Sequence, residues 1–412
     1  MCRLFLFLGD AMSRSNNPLS DPKRLSPSTQ LVHGGTERSQ HGETSEALFL
    51  NSGYIYETSA SAEARFKGDE PGYIYSRFSN PTVEMFQQRM ALLEGAEDAR
   101  GLATGMAAVT TAVMAQVKAG DHVVGARALF GGCRFVIEDF LPRYGVASTL
   151  VDGRDPTNFE KAMRPNTKLI FIETPTNPTL ELVDIAAVAK IAHAHGALLI
   201  VDNVFATPLW QKPLALGADL VCYSATKHID GQGRVLGGVV LGSKELVGGD
   251  IHKFIRQTGP SMSPFNAWVL LKSLETLPVR VKQMTDSATK IADFLAAHPK
   301  VEKVYYPHHK SHPQYELGMR QMRAGSTLVA FEVKGGKAQA FAVGDNLAVI
   351  VTSNNLGDAK SIIAHPATTT HQRFEDRVRE EMGITQSLLR LSVGLEDADD
   401  LIADLGYALD QV

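Results

Sequence analysis

The chain of 412 residues is poor in the features that mark several protein classes. Its three cysteines, Cys2, Cys133 and Cys222, are widely spaced and form no CxxC pair. That excludes a disulfide framework and a cysteine-based zinc motif, and it suits buried or incidental thiols in a reducing cytosol. There is no basic surplus: 41 Lys and Arg stand against 45 Asp and Glu, a net charge of −4. A nucleic-acid partner is therefore not expected. No apolar run approaches the ~20 residues of a membrane helix, so no membrane partner is expected either. At the start, "MCRLFLFLGDAMSRS" offers a short apolar stretch of five residues, below the ~7 of a secretory core segment. The expectation is a cytoplasmic protein, with Met12 as an alternative start.

What the chain does have is apolar content, 44% hydrophobic, enough for a large core and more than one domain. Residues 1–65 are polar, rich in Ser, Asn and Gly, and read as an arm lying on something else. Beyond them, "DHVVGA" (121–126), "KLIFIET" (168–174), "ALLIVDN" (197–203) and "DLVCYSA" (219–225) read as buried strands. "RFVIEDFLPRYG" (134–145) and "LVDIAAVAKIAHAHG" (182–196) have apolar residues at helical spacing and stop at glycine. Such alternation predicts an α/β fold with a mostly parallel sheet covered on both faces. After Pro260 the texture changes. Residues 265–298 read as one long or kinked helix leading into a smaller α+β region with strands near 326–333 and 389–393, and "EDADDLIADLG" (396–406) as the start of a solvated helix. The division expected is an arm over 1–65, a large domain over 66–260 and a C-terminal domain over 261–412.

Ligands of open α/β sheets bind outside the carboxyl ends of the strands, and Asp202 and Lys227 stand at two such ends. A lysine that forms a Schiff base and an acid that keeps a pyridine nitrogen protonated are what a pyridoxal phosphate enzyme needs; a plain ion pair at a sheet edge is the other reading. Gly105 and Met106 open a helix whose amides could hold a phosphate, or the glycine is only a cap. Ser224 and Thr226 offer hydroxyls beside Lys227. Tyr75 and Arg77 precede a turn and a helix, and an arginine fork suits phosphate. Phe130 could stack on a flat ring or simply fill the core. Arg390, inside an apolar strand, needs an anionic partner: a substrate carboxylate, or a structural Asp or Glu.

The order of eight segments decides among these readings: "YSRFSNPT", "ATGMAA", "ETPTNP", "VDNVFATP", "SATKHIDGQG", "TGPSMSPFNAW", "HPATTTH" and "RLSVGLED". From about residue 28 onward the chain resembles the Cys/Met-metabolism pyridoxal phosphate enzymes, which include cystathionine γ-synthase, methionine γ-lyase and the homoserine sulfhydrylases. The resemblance implies the fold-type I pyridoxal phosphate transferase architecture, with a mostly parallel central sheet and a smaller α+β C-terminal domain. It also implies pyridoxal 5'-phosphate as cofactor. Lys227 would bear the Schiff base, Asp202 would pair with the pyridine nitrogen, and Phe130 would stack on the ring. Gly105, Met106, Ser224 and Thr226 would hold the phosphate. Tyr75 and Arg77 would reach the phosphate of a neighbouring subunit, which requires at least a dimer and suggests a tetramer of two site-sharing dimers. Asn177, Ser353 and Arg390 would contact substrate, with Arg390 on its carboxylate. No metal site is implied; the histidines of "YPHHKSH" (306–312), His365 and His371 read as loop residues.

Three departures narrow the chemistry. Phe130 stands where many relatives have tyrosine, so Lys227 is expected to move both protons alone. "NNLGDAK" (354–360) is similar to the homocysteine-forming members, and "DGQGR" (230–234) to those that take the succinyl ester of homoserine. The implied activity is γ-replacement in methionine biosynthesis, with sulfide displacing succinate from O-succinyl-L-homoserine to give L-homocysteine. The alternatives are the acetyl ester as donor, cysteine as acceptor, or γ-elimination. No lone basic residue identifies itself as the succinyl partner; Arg77, Arg134 and Arg234 are the candidates.

Overall fold

Short runs of Val, Ile and Leu make the middle of a seven-stranded sheet. The computed structural model describes Leu19 and residues 21–412; Cys2 and the start at Met1 or Met12 lie outside the described residues. The strands are β1 (Asp98–Leu102), β2 (His122–Ala126), β3 (Ala147–Val151), β4 (Thr167–Glu173), β5 (Leu198–Asp202), β6 (Leu220–Ser224) and β7 (Gly238–Gly242), in spatial order β1-β7-β6-β5-β4-β2-β3. Only β7 runs against its neighbours. The others share one direction, so their carboxyl ends line up on one edge.

Helices cover the sheet for local reasons. Asp184 accepts the Ala187 N–H and starts the helix Ile185–Ala194, whose Ile185, Val188, Ala189 and Ala192 are buried. Thr104 accepts the Ala107 N–H and starts the helix Gly105–Met114. That helix lies so close to β6 and β7 that side chains are excluded from two positions. A Cβ on Gly105 would sit 2.6 Å from Ser224 Cβ, and one on Gly238 would sit 2.1 Å from the Thr104 carbonyl oxygen.

A second sheet, order β10-β11-β12-β9-β8, is formed by β8 (Val301–Tyr305), β9 (Leu328–Val333), β10 (Val351–Thr352), β11 (Ile362–Ala364) and β12 (Leu388–Ser392). It is antiparallel except for the β10–β11 pair. The apolar cluster around the first sheet extends to Leu277 and Val281, whereas the one around the second begins at Ala288.

Three expectations need correction. The segment 134–145 is not one α-helix. A short helix Gly131–Phe135 widens over Val136–Phe140 and tightens over Leu141–Tyr144 before Gly145 ends it in the left-handed conformation. The segment 265–298 is two helices, Pro264–Leu274 and Leu277–Ala297, parted at Glu275 and Thr276 because Pro278 favours a fresh first turn. The last helix, Ala398–Asp410, is not merely solvated: Leu401, Leu405 and Leu409 pack into the second core.

Candidate active site

The carboxyl ends of β4, β5 and β6 open into a cavity of about 420 Å³. Its lining contains nine of the residues picked from the sequence: Gly105, Met106, Phe130, Asn177, Asp202, Ser224, Thr226, Lys227 and Arg390.

Lys227 stands just past β6, and its Nζ donates to Asn355 Oδ1 at 2.6 Å. Burial first, and then the Arg390 charge, lower its pKa to about 8. A useful share of the amine is therefore neutral near physiological pH. Asp202 ends β5, in register with Glu173 of β4. Its Oδ1 accepts the Val204 N–H at 3.1 Å, and Cys133 Sγ approaches Oδ2 at 3.7 Å. No cation pairs with it among the described residues, and burial pushes its pKa up to about 6.

Arg390 is 1% exposed. Its Nη1 donates to Asn177 Oδ1 at 2.9 Å, and Nη2 donates to the Asn354 and Asn355 carbonyls at 3.1 and 3.0 Å. Its Nε is buried without a partner. Arg280 is also buried on neutral oxygens alone, but Arg390 differs in lining the cavity with an unpartnered Nε, and that suits it to receive an anion. Burial lowers its pKa to about 10 against the pull of Glu173, so it stays charged.

Two of the expected hydroxyls differ. Thr226 Oγ1 already exchanges hydrogen bonds with the Gly237 backbone, at 3.3 and 3.1 Å. Ser224 faces the cavity beside Gly105. Ser353, whose amide donates to the Ile363 carbonyl at 3.0 Å, is outside the cavity lining, and Asn354 beside it lines the wall. Tyr75 and Arg77 lie in a separate cleft with Leu50, Asn51 and Ser52, where Arg77 bonds the Arg256 carbonyl and its guanidinium lies 4.9 Å from the Phe78 ring centre.

The described arginines offered for a succinyl group are all engaged within the chain. Arg134 grips Glu138, Arg234 grips Asp230, and Arg77 is held as above. Of the cavity-lining side chains, only Lys227 and Arg390 are basic.

The Cys/Met metabolism PLP-dependent enzyme model matches residues 28–410. The chain belongs to that family. It is 51% identical over 401 residues to an O-succinylhomoserine sulfhydrylase of Mycobacterium tuberculosis, covering 96% of this chain and 99% of the relative. It is 48% identical over 394 residues to an O-succinylhomoserine sulfhydrylase of Pseudomonas aeruginosa, covering 95% and 96%. Among solved structures, a putative O-acetylhomoserine (thiol)-lyase of Campylobacter jejuni holding a pyridoxyl-lysine monophosphate superposes with a TM-score of 0.90. It is 33% identical and covers 94% of this chain and 100% of the other.

Pyridoxal phosphate, the family's cofactor, fits the donors present. The first amides of the Gly105–Met114 helix have no acceptor within the helix and could take a phosphate. Asp202 is a buried carboxylate in want of a cation, and Lys227 is a buried amine at the cavity wall.

Sequence reasoning missed Glu173, Cys133 and Asn355. Glu173 falls inside "ETPTNP" but was not given a role of its own. Asn355 meets Lys227 from 128 positions away, and only "NNLGDAK" flagged its loop. That loop and the "DGQGR" turn are one packed unit. Ala359 N–H donates to the Gly231 carbonyl at 2.9 Å, and a Cβ on Gly233 would lie 2.6 Å from Asp358 Oδ2.

Proposed function

We propose that the protein catalyses γ-replacement on O-succinyl-L-homoserine, using sulfide to form L-homocysteine and release succinate. The observation that carries the amino-acid part is Arg390, buried, charged and without a carboxylate partner beside Lys227. The succinyl part is supported by the two relatives named for that ester and matched over nearly their whole length.

Lys227, Asp202, Phe130, Gly105, Met106, Ser224 and Thr226 would hold the cofactor, with Thr226 acting through the Gly237 loop. Bound pyridoxal phosphate supplies an electron sink for charge developing on the amino acid's carbon chain. Arg390, steadied by Asn177 and the Asn354–Asn355 loop carrying Ser353, binds the α-carboxylate and fixes the donor's orientation. Lys227 Nζ would take the Cα proton and, after handing it on, take a Cβ proton as succinate departs from Cγ with the C–O bonding electrons. Sulfide adds at Cγ, and protons return to Cβ and Cα. Phe130 can pack against a ring but cannot carry a proton, so both transfers fall to Lys227. Asn355 holds Nζ at the cavity wall between them.

Tyr75 and Arg77 would serve the site of a second copy, in a tetramer of two site-sharing dimers. Their position outside this chain's own cavity supports that reading, as do Leu50 and Ile55 of the arm, 68% and 95% exposed. The division into arm, large domain over 66–260 and C-terminal domain over 261–412 belongs to the same reading and is supported by the two separate sheets. No described helix is long and apolar enough to cross a membrane, and we place the enzyme in the cytoplasm.

The test is homocysteine formation by cofactor-loaded protein with sulfide, comparing the succinyl and acetyl esters at equal concentration. A succinyl preference in kcat/KM is expected. An acetyl preference would discard "DGQGR" as a specificity marker, and no homocysteine from either donor would overturn the reading. In Lys227→Ala, exchange of the Cα proton with solvent should fall by about 10²–10⁴-fold; retention of that exchange would remove Lys227 as the base.

A further inference from the structure

Glu173 ends β4 next to Asp202 and is buried on the lining of the same cavity, yet the chemistry above does not use it. Its carboxylate has no ion-pair partner among the described residues. Instead it accepts two backbone N–H groups from two residues of the cavity lining. Oε2 takes the Phe130 amide at 2.6 Å, from 43 positions earlier, and Oε1 takes the Asn177 amide at 2.8 Å. Phe130 opens the helix Gly131–Phe135 and turns its ring to the cavity. Asn177 in turn holds Arg390 Nη1 through Oδ1 at 2.9 Å.

A carboxylate can accept two such bonds at once. An amide of the same shape can accept only one and must point its NH₂ at the other N–H. Burial and the neighbouring Asp202 push the Glu173 carboxyl well above the usual range, whereas the two N–H groups oppose that rise. Cys133, Glu173 and Asp202 have ligand-type atoms within 4.8 Å of one another. Both Glu173 oxygens are already committed to backbone N–H groups, however, which suits a tie between loops better than a cation ligand.

We propose that Glu173 is a positioning residue: one buried carboxylate sets the ring-packing wall through Phe130 and the substrate-carboxylate clamp through Asn177 and Arg390. This rests on the reading of Arg390 and Phe130 given above. In cofactor-loaded Glu173→Gln, KM for O-succinylhomoserine should rise about tenfold, the size expected if the displaced Asn177 costs Arg390 one hydrogen bond's worth of grip on the charged carboxylate. The visible band of the bound cofactor should shift as its packing against Phe130 changes. In hydrogen-exchange mass spectrometry, the Phe130 and Asn177 amides should both be slow in the wild type and at least one should speed up in the variant.

A merely structural role would lower thermal stability and leave KM and the band in place, and that result overturns the proposal. Unprotected amides at both positions in the wild-type holoenzyme would overturn it without any variant. Arg390→Gln, measured alongside, separates the two levels. If its donor KM is unchanged, the reading of Arg390 fails, whereas a raised KM there with an unaltered Glu173→Gln enzyme defeats only the proposal for Glu173.

Discussion

Two arginines are buried almost completely, Arg89 at 0% and Arg390 at 1% exposure, and their surroundings are opposite. Arg89, on the helix Pro81–Glu94, meets Glu46 at 2.5 Å and also donates to the Gly34 and Leu271 carbonyls and the Thr36 hydroxyl. Lys272 closes the knot from the helix Pro264–Leu274, 2.9 Å from Glu46. Every charge there is answered within the chain, and the segment carrying Gly34, Thr36 and Glu46 is thereby pinned to two helices. Arg390 is answered only by neutral oxygens. Burying a charge without an ion-pair partner is costly; Glu173 pulls on Arg390 without pairing with it, and the fold tolerates the remaining cost beside Lys227. The contrast separates a charge that builds the structure from one that waits for a ligand.

Exchanging the two sites' roles by mutation is the strongest way to break that contrast. Arg390→Gln should lower kcat/KM for the donor by about a hundredfold or more, since a buried charge would then lose its partner in the complex. Its thermal midpoint should change little, and a large loss of stability with intact kcat/KM would reverse the assignment. Arg89→Gln should do the opposite. Leaving Glu46 buried without its guanidinium should cost about 3–5 kcal/mol in unfolding free energy. Activity per folded molecule should persist, and a denaturant titration beside a kinetic assay reads both.

How much of this was legible beforehand depends on distance along the chain. Strands such as β4 and β5 were readable because a strand buried on both faces is written as an unbroken apolar run. β1, "DARGL", and β7, "GVVLG", were not, since charge and glycine hide them and the pairing of β1 with β7 and of β7 with β6 makes them strands. Lys227, Asp202 and Arg390 stood out as polar residues at strand ends or within a strand. Glu173 and Asn355 did not, because Glu173 meets Phe130 from 43 positions away and Asn355 meets Lys227 from 128, and no local pattern encodes such meetings. The loop of Ser353 was picked out for its sequence, and its neighbour Asn354 lines the wall. The turn and loop that hinted at substrate class were read as separate markers, although they touch.

Acid sharpens the structural side of the comparison. Burial alone would raise the Glu46 pKa, but the hydrogen bonds from Arg89 and Lys272 outweigh it and bring it to about 2. A carboxyl depressed in the folded state adds stability above its unfolded value, and that stability is lost as pH falls through the folded value. The stability gap between wild type and Glu46→Gln should therefore be widest near neutrality and close as pH falls from about 4.5 toward about 2. A gap that stays constant over that range would mean that the knot contributes shape rather than charge.

The smallest effect lies on the functional side. Arg390 is the second cause, after burial, of the low Lys227 pKa. In cofactor-free protein, the rate at which Lys227 captures pyridoxal phosphate should rise with pH through about 8, because only the neutral amine attacks. Arg390→Gln removes a positive neighbour, which eases protonation of the amine, so the midpoint should move upward. Arg89→Gln removes an equal charge that Glu46 already neutralises, and it should leave the midpoint in place. If both variants behave alike, the depression belongs to burial alone, and the unpaired Arg390 is tuned for the substrate's carboxylate but not for the lysine beside it.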